Sequence, residues 1–176
     1  MEYKLVDRVR SLAILSATVL LTSLTSACCC CANGDRGVSV VNGGFEDGIL
    51  EPWAQYQSPQ AAVVTVHSGN FGLAESGTTG AVFQDVKGLE PGVGYTISAW
   101  VSSSPDATAA AQIVVWDAGN NVSTLSNKVT PNGGWQLLKY EFKVSGKSRG
   151  IARIHLARDG GSGTIFWDDV RIARTD

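Results

Sequence analysis

The chain has 176 residues, of which 17% are charged, and its formal net charge is −2. No basic block or stripe stands out, which argues against nucleic acids and anionic membrane surfaces as partners. The four cysteines are consecutive, at positions 28–31. Because the rest of the chain has none, a disulfide-stapled fold is excluded there, and the run lacks the partners of a structural zinc site.

The N-terminal segment has the pattern of an export signal. Positive charges precede the apolar stretch Leu12–Leu24, which is too short to span a bilayer comfortably. The small residues Thr25–Ala27 before Cys28 resemble a bacterial lipobox, whose cysteine is lipidated after cleavage. An ordinary secretory signal cut before Cys28 is the alternative. We predict a signal peptide over residues 1–27, lipidation at Cys28 and a spacer over 28–37. Such a protein would work at the cell envelope, touching the membrane only through its lipid.

The body of the chain, residues 38–174, contains short apolar runs separated by Gly, Pro, Asn and Asp, and no long stretch has helical periodicity. The predicted strands are Val38–Val41, Ala61–Val66, Gly80–Val86, Tyr95–Ser102, Ala111–Trp116, Gln136–Val144, Ile151–Ala157 and Thr164–Ala173. Strands at this spacing favour one all-β domain, built as an antiparallel β-sandwich.

Alternation along two of these strands assigns their faces. In Tyr95–Ser102 the apolar or small residues occupy every second position from Tyr95, so Trp100 faces away from the core. In the strand that begins at Ile151, the residues Ala152, Ile154 and Leu156 face the core by the same reasoning. Arg153 and His155 therefore face out.

A third strand, over residues 111–117, leaves its faces open. Ile113 and Val115 compete with Val114 and Trp116 for the core side. If Ile113 and Val115 are in the core, Trp116 faces out, and so does Gln112.

The closing run from Gly163 to Arg174 alternates as a strand but carries two adjacent carboxylates. Strict alternation places Asp168 on the core side with Val170, and it places Trp167 and Asp169 on the outer side. A carboxylate directed inward needs a partner. A bound cation and a cap on backbone N–H groups are both consistent with this position.

Several short motifs resemble, in their order and spacing, the CenC-type carbohydrate-binding modules. They are NGGFEDG from Asn42, Pro52-Trp53, HSGNFG from His67, VFQDVKGLEPGVGYTISAWV from Val82, a strand led by Trp135, and FWDDVRI from Phe166. The resemblance covers residues 38–174. It implies a jelly-roll domain of the galactose-binding-like group that binds polysaccharide.

The same resemblance implies a structural calcium ion that ties the first segment to the last strand. The positions that match the family's ligands are Gly44 for a backbone oxygen, Glu46, the turn Gly69–Gly72, and Asp168 with Asp169 as the alternate. Calcium takes six to eight oxygen ligands, and irregular Gly-rich backbone supplies free carbonyl groups. A Glu46 that only caps a turn is the rival interpretation.

The sugar site implied by the resemblance lies on a sheet face or in the loops at one edge. Sugars stack on aromatic rings and hydrogen-bond planar polar groups. The outward residues that supply this chemistry are Trp100 and Trp116 as platforms, with Gln84, Gln112, Arg153 and His155 as polar partners. Gln84 is placed by the family pattern, because its own strand puts it on the side of Val82 and Val86.

Catalysis is not predicted. Glycoside hydrolysis needs two carboxylates flanking a cleft, and none are paired on the face expected to carry Trp100 and His155, although Glu75 or Asp85 could reach it. The sequence therefore predicts a non-catalytic carbohydrate-binding domain. The alternative is an envelope structural or protein-interaction module of the same fold without affinity for sugar.

Overall fold

The computed structural model describes residues 37–57, 60–64, 66–117 and 122–175. Ten β-strands lie within these ranges: β1 (Ala54–Tyr56), β2 (Gln60–Val64), β3 (Gly72–Ser76), β4 (Gly80–Lys87), β5 (Gly94–Ser103), β6 (Ala110–Asp117), β7 (Val122–Leu125), β8 (Gln136–Lys143), β9 (Ile151–Asp159) and β10 (Ile165–Thr175). The predicted signal peptide, Cys28 and almost all of the spacer lie outside the described residues.

No helix in the described ranges is long and apolar enough to cross a membrane.

The strands form two antiparallel sheets. Sheet 1 has the order β1-β4-β9-β6-β7, and sheet 2 has the order β2-β3-β10-β5-β8. Strands that follow each other in the chain therefore often lie in different sheets, as in a jelly roll. This architecture confirms the predicted antiparallel β-sandwich.

The core lies between the two sheets and confirms most of the predicted faces. Tyr95 and Ile97 of β5 are buried, and so are Ile154 and Leu156 of β9. In β6 the open question is decided, because Ile113 is fully buried. With Ile113 directed inward, the alternate residues Gln112 and Trp116 lie on the outer face of sheet 1.

The predicted strand Val38–Val41 is wrong. Its last residue, Val41, has its N–H and C=O bonded by the side-chain amide of Gln84, at 2.8 Å each. A side chain thus takes the place of a ladder partner, and a turn follows at once, with the Phe45 N–H donating to Asn42 O. Three strands were not predicted: β1, β3 and β7. β1 has three residues, all exposed, and so carries no periodic signal.

The faces predicted for the closing strand are wrong before Asp168 and right after it. The register of β10 against β5 shifts between Asp168 and Arg171, and Asp169 has a φ of 49°. This bulge exchanges the two faces of the strand. Trp167, predicted on the outer side, is fully buried, while Val170 beyond the bulge also faces the core.

Candidate functional site

A groove of about 540 Å³ lies on the outer face of sheet 1. Cross-strand pairing arranges the outer side chains of this face in rows. The first row is Tyr56, Ala81, Ala157 and Gln112; the second is Phe83, His155 and Val114; the third is Asp85, Arg153 and Trp116. Two alanines stand in the middle of the first row, with larger side chains at its ends. The groove floor is therefore low, because a methyl group is all that covers the sheet there.

Arg153 is held firmly in the third row. Its Nε and Nη2 donate to the two carboxylate oxygens of Asp85 at 2.6 and 2.9 Å. Its guanidinium also lies 4.3 Å from the centre of the Phe83 ring and 5.5 Å from that of Trp116. The hydrogen bond from Arg153 holds the pKa of Asp85 below its usual value. The groove thus contains a preformed ion pair on an aromatic base rather than a free cation.

His155 sits between two aromatic rings of the groove. Its ring stacks on Phe83 with centroids 5.4 Å apart and meets the edge of Tyr56 at 6.1 Å. Burial lowers the pKa of His155, and the positive charge of Arg153 lowers it further. The imidazole is therefore neutral at neutral pH, with one nitrogen that donates and one that accepts.

Each carboxylate at the groove forms an ion pair with a basic side chain. Asp85 is bonded by Arg153, and Asp159 pairs with Lys128. Glu75, considered above as an acid that could reach the face, is instead fully buried inside the sandwich. A pair of carboxylates poised for glycoside hydrolysis is not among these residues.

The family model described as "Carbohydrate binding domain" (CBM_4_9) matches residues 37–161. The chain belongs to this carbohydrate-binding family. A search of curated proteins finds no match.

Solved structures of other carbohydrate-binding modules share the fold of this domain. The TmCBM61 structure in complex with β-1,4-galactotriose has a TM-score of 0.61 at 21% identity, over 77% of this chain and 97% of that one. The CBM22-2 xylan-binding domain of Paenibacillus barcinonensis Xyn10C has a TM-score of 0.60 at 22% identity, over 76% and 98%. A family 16 carbohydrate-binding module has a TM-score of 0.62 at 20% identity, over 76% of this chain and 98% of that one. At these identities the likeness shows the fold alone.

The predicted sugar-binding residues of this carbohydrate-binding domain are divided between the two sheets. Gln112, Trp116, Arg153 and His155 come together at the groove. Trp100 lies on the outer face of sheet 2, so the expectation that it shares a face with His155 is wrong. Alternation gave the outward direction of Trp100 correctly, but the strand order decides the sheet.

Trp100 is also partly covered. The His67 ring stacks on it with centroids 4.0 Å apart and an interplanar angle of 15°. Trp135 also contacts His67 edge to face, with the ring centroids 5.5 Å apart. These three side chains form an aromatic cluster around Trp100.

Gln84 is a structural residue rather than part of the groove. It is 6% exposed and points inward with Val82, where its amide bonds the backbone of Val41. Gln112 does line the groove, but its Nε2 donates to Ser126 O at 2.6 Å. The predicted position of Gln84 on the binding face is therefore wrong.

Two aromatic residues at the groove were not placed there from the sequence: Tyr56, expected only as a loop residue, and Phe83. Tyr56 lies on β1, the strand without a periodic signal, and it is 50% exposed at the groove. Phe83 could have been found, because it alternates with the buried residues Val82 and Gln84 on β4.

The residues predicted to hold calcium meet at one corner of the sandwich. A Cβ built on Gly44 would lie 3.6 Å from Glu46 Cγ and 3.9 Å from Asp168 Oδ1. Glu46 accepts the N–H groups of Asn70 and Phe71 at 3.0 and 3.2 Å, and these hydrogen bonds lower its pKa. Position 69 accepts only a glycine, because a Cβ there would overlap Glu46 Oε1.

Asp168 and Asp169 form hydrogen bonds with the first residues of the same turn. Asp168 Oδ2 accepts the N–H groups of His67 and Ser68 at 2.8 and 3.0 Å. Asp169 Oδ2 accepts from the Ser68 hydroxyl at 2.9 Å and lies 3.0 Å from His67 Nδ1. These contacts are those of a capped turn, and each carboxylate oxygen keeps a further lone pair with which it could also bind a cation.

No group of three or more His, Cys, Asp or Glu side chains that could hold a metal ion occurs in the part of the chain that the structure describes. Calcium therefore stays a prediction of the resemblance. With calcium bound as the resemblance implies, the melting temperature should be several degrees lower in excess chelator than in millimolar calcium, measured by circular dichroism. Equal melting temperatures would contradict the calcium site and leave the capped turn.

Proposed function

We propose that this domain binds a glycan chain, without catalysis, in the groove on the outer face of sheet 1. The observation that carries the proposal is the first cross-strand row, in which the alanine floor lies between Tyr56 and Gln112. Trp116 adds a second aromatic side chain on the side of Gln112. The groove volume of about 540 Å³ is in the usual range for ligand sites.

The chemistry of the groove suits a sugar. Aromatic rings offer flat apolar surface to the C–H faces of a pyranose, and planar polar groups orient its hydroxyls. His155 is neutral and both donates and accepts, while the guanidinium of Arg153 is immobilised by Asp85 and Phe83. Groups already held in place lose little entropy on binding, which favours affinity.

The floor row runs across the strands, so a chain lying on it would cross β4, β9 and β6. Ala81 and Ala157 allow its sugars to approach the sheet closely. Of the solved structures named above, one is a complex with β-1,4-galactotriose and another is a xylan-binding domain. Linear β-linked polysaccharides are therefore the first class to test on this domain.

The proposed setting of this binding is the cell envelope. It rests on the apolar segment and small residues that precede Cys28. A lipid at Cys28 would leave the domain on a short spacer outside the cytoplasmic membrane, where it could hold polysaccharide near the cell.

The test is retention of the domain by soluble polysaccharides in affinity electrophoresis, beside an Ala157→Trp variant. Trp at position 157 fills the groove floor, so we expect it to abolish retention. The matched control is Ala173→Trp on the outer face of sheet 2, where the exposed Ala173 pairs with Thr96. This control should be retained like the wild type.

Two outcomes would contradict the proposal. Equal retention of Ala157→Trp and the wild type would place the sugar elsewhere on the domain. No retention of the well-folded wild type on any glycan would favour the alternative, an envelope structural or protein-interaction module.

A further inference from the structure

Two polar side chains are sealed inside the sandwich. Glu75 of β3, in sheet 2, and Arg158 of β9, in sheet 1, are 0% and 1% exposed. Charged residues are rarely buried to this extent unless they are paired. The two belong to opposite sheets, so the polar site they form bridges the layers.

Their hydrogen bonds involve only some of the polar atoms of each side chain. Glu75 Oε2 accepts from Trp167 Nε1 at 2.7 Å, and Arg158 Nη2 donates to the carbonyls of Gly161 and Gly163 at 2.9 and 3.1 Å. Glu75 Oε1 and the Nε and Nη1 of Arg158 make no hydrogen bond within ordinary distance and angle limits, although the backbone N–H of Val82 also stabilises the Glu75 carboxylate.

The free atoms are complementary in hydrogen bonding. The remaining acceptor belongs to Glu75, and the remaining donors belong to Arg158. The charge of Arg158 acts on the Glu75 carboxyl. Glu75 also pairs across the ladder with Ile165, two residues after the Gly163 carbonyl that Arg158 bonds. The two side chains make no direct hydrogen bond to each other through these atoms.

Such a gap needs an occupant. A buried donor or acceptor without a partner costs about 1–3 kcal/mol, and native proteins satisfy such groups with internal water. We propose that Glu75 and Arg158 enclose an internal water site, at which water accepts from the guanidinium and donates to Glu75 Oε1. Because water both donates and accepts, the bridge holds whether the carboxyl is ionised or neutral.

The site would also anchor a loop at one end of the groove. Arg158 hydrogen-bonds the carbonyls of Gly161 and Gly163 in the loop between β9 and β10. In the same loop, the Gly160 N–H donates to Thr79 Oγ1 at 2.9 Å. Thr79 and Asp159 both line the groove. An Arg158 fixed by internal water is therefore a positioning residue for this end of the groove.

The decisive experiment is a high-resolution crystal structure of the wild-type domain without glycan. We expect ordered water within about 2.7–3.2 Å of both Glu75 Oε1 and the Arg158 guanidinium. Direct contact between the two side chains, or a dry gap between them, would overturn the proposal. This result does not depend on whether the groove binds sugar.

A second measurement tests the anchoring role in solution. Hydrogen exchange in residues 159–164 should be at least tenfold faster in Arg158→Met than in the wild type. The matched control, Arg171→Met, removes a 75% exposed guanidinium of sheet 2 and should leave this exchange unchanged. Equal exchange in Arg158→Met and the wild type would show that Arg158 does not hold the loop.

Discussion

Replacing Trp116 with Ala is expected to weaken glycan binding by tenfold or more, while Trp100→Ala leaves it unchanged. The indole of Trp116 stands in the groove beside Arg153, so its loss removes apolar surface from the ligand. One stacked aromatic ring contributes on the order of 1–2 kcal/mol, and about 1.4 kcal/mol corresponds to a factor of ten.

Trp100→Ala is the matched control because it makes the same change on the other sheet. Its ring contacts His67 at the rim of sheet 2. Isothermal titration with the best polysaccharide from the retention test gives both affinities, and circular dichroism checks that both variants fold. A larger loss in Trp100→Ala than in Trp116→Ala would move the binding site to sheet 2.

We expect the stability of the wild type to fall between about pH 4.5 and pH 8, and we expect Glu75→Gln to remove this fall. Burial raises the pKa of Glu75 from 4.5 to about 8, against the opposing effects of Trp167, the Val82 N–H and Arg158. The folded state thus favours the protonated acid. Its stabilising effect is complete below the unfolded pKa and is lost as the pH rises through the folded one.

The size of this effect follows from the difference between the pKa values of Glu75 in the folded and the unfolded state. Each pKa unit corresponds to about 1.4 kcal/mol, so the full loss is on the order of 5 kcal/mol. Glutamine keeps an oxygen that accepts from Trp167 Nε1 but cannot ionise. Glu75→Gln should therefore match the wild type near pH 5 and exceed it near pH 9.

Urea unfolding at pH 5, 7 and 9 measures this difference. Glu141→Gln, at an exposed position of β8, is the matched control and should follow the wild type at every pH. Parallel pH profiles for Glu75→Gln and the wild type would show that the buried carboxyl titrates in its normal range.

The residues most accurately predicted from the sequence are those whose strand alternates without interruption. Every second residue is apolar from Tyr95 to Val101 in β5 and from Ala152 to Leu156 in β9, so the burial of Ile97 and Ile154 and the outward direction of Trp100 and His155 followed at once. The prediction fails at β10, where the bulge at Asp169 exchanges the faces and buries Trp167. A bulge depends on the pairing with neighbouring strands, and period-2 alternation contains no sign of it.

The sequence alone determined the class of the fold and the chemistry available on its strands, because alternation and turn residues are local properties. Its motifs also indicated the carbohydrate-binding family that the family model then matched. Only the tertiary structure decided which side chains meet. Trp116, Arg153 and His155 share the groove because β6 and β9 are neighbours in sheet 1, whereas Trp100 lies on β5 in sheet 2. Pairing between strands far apart in the chain is set by packing of the whole sandwich, and no single strand encodes it.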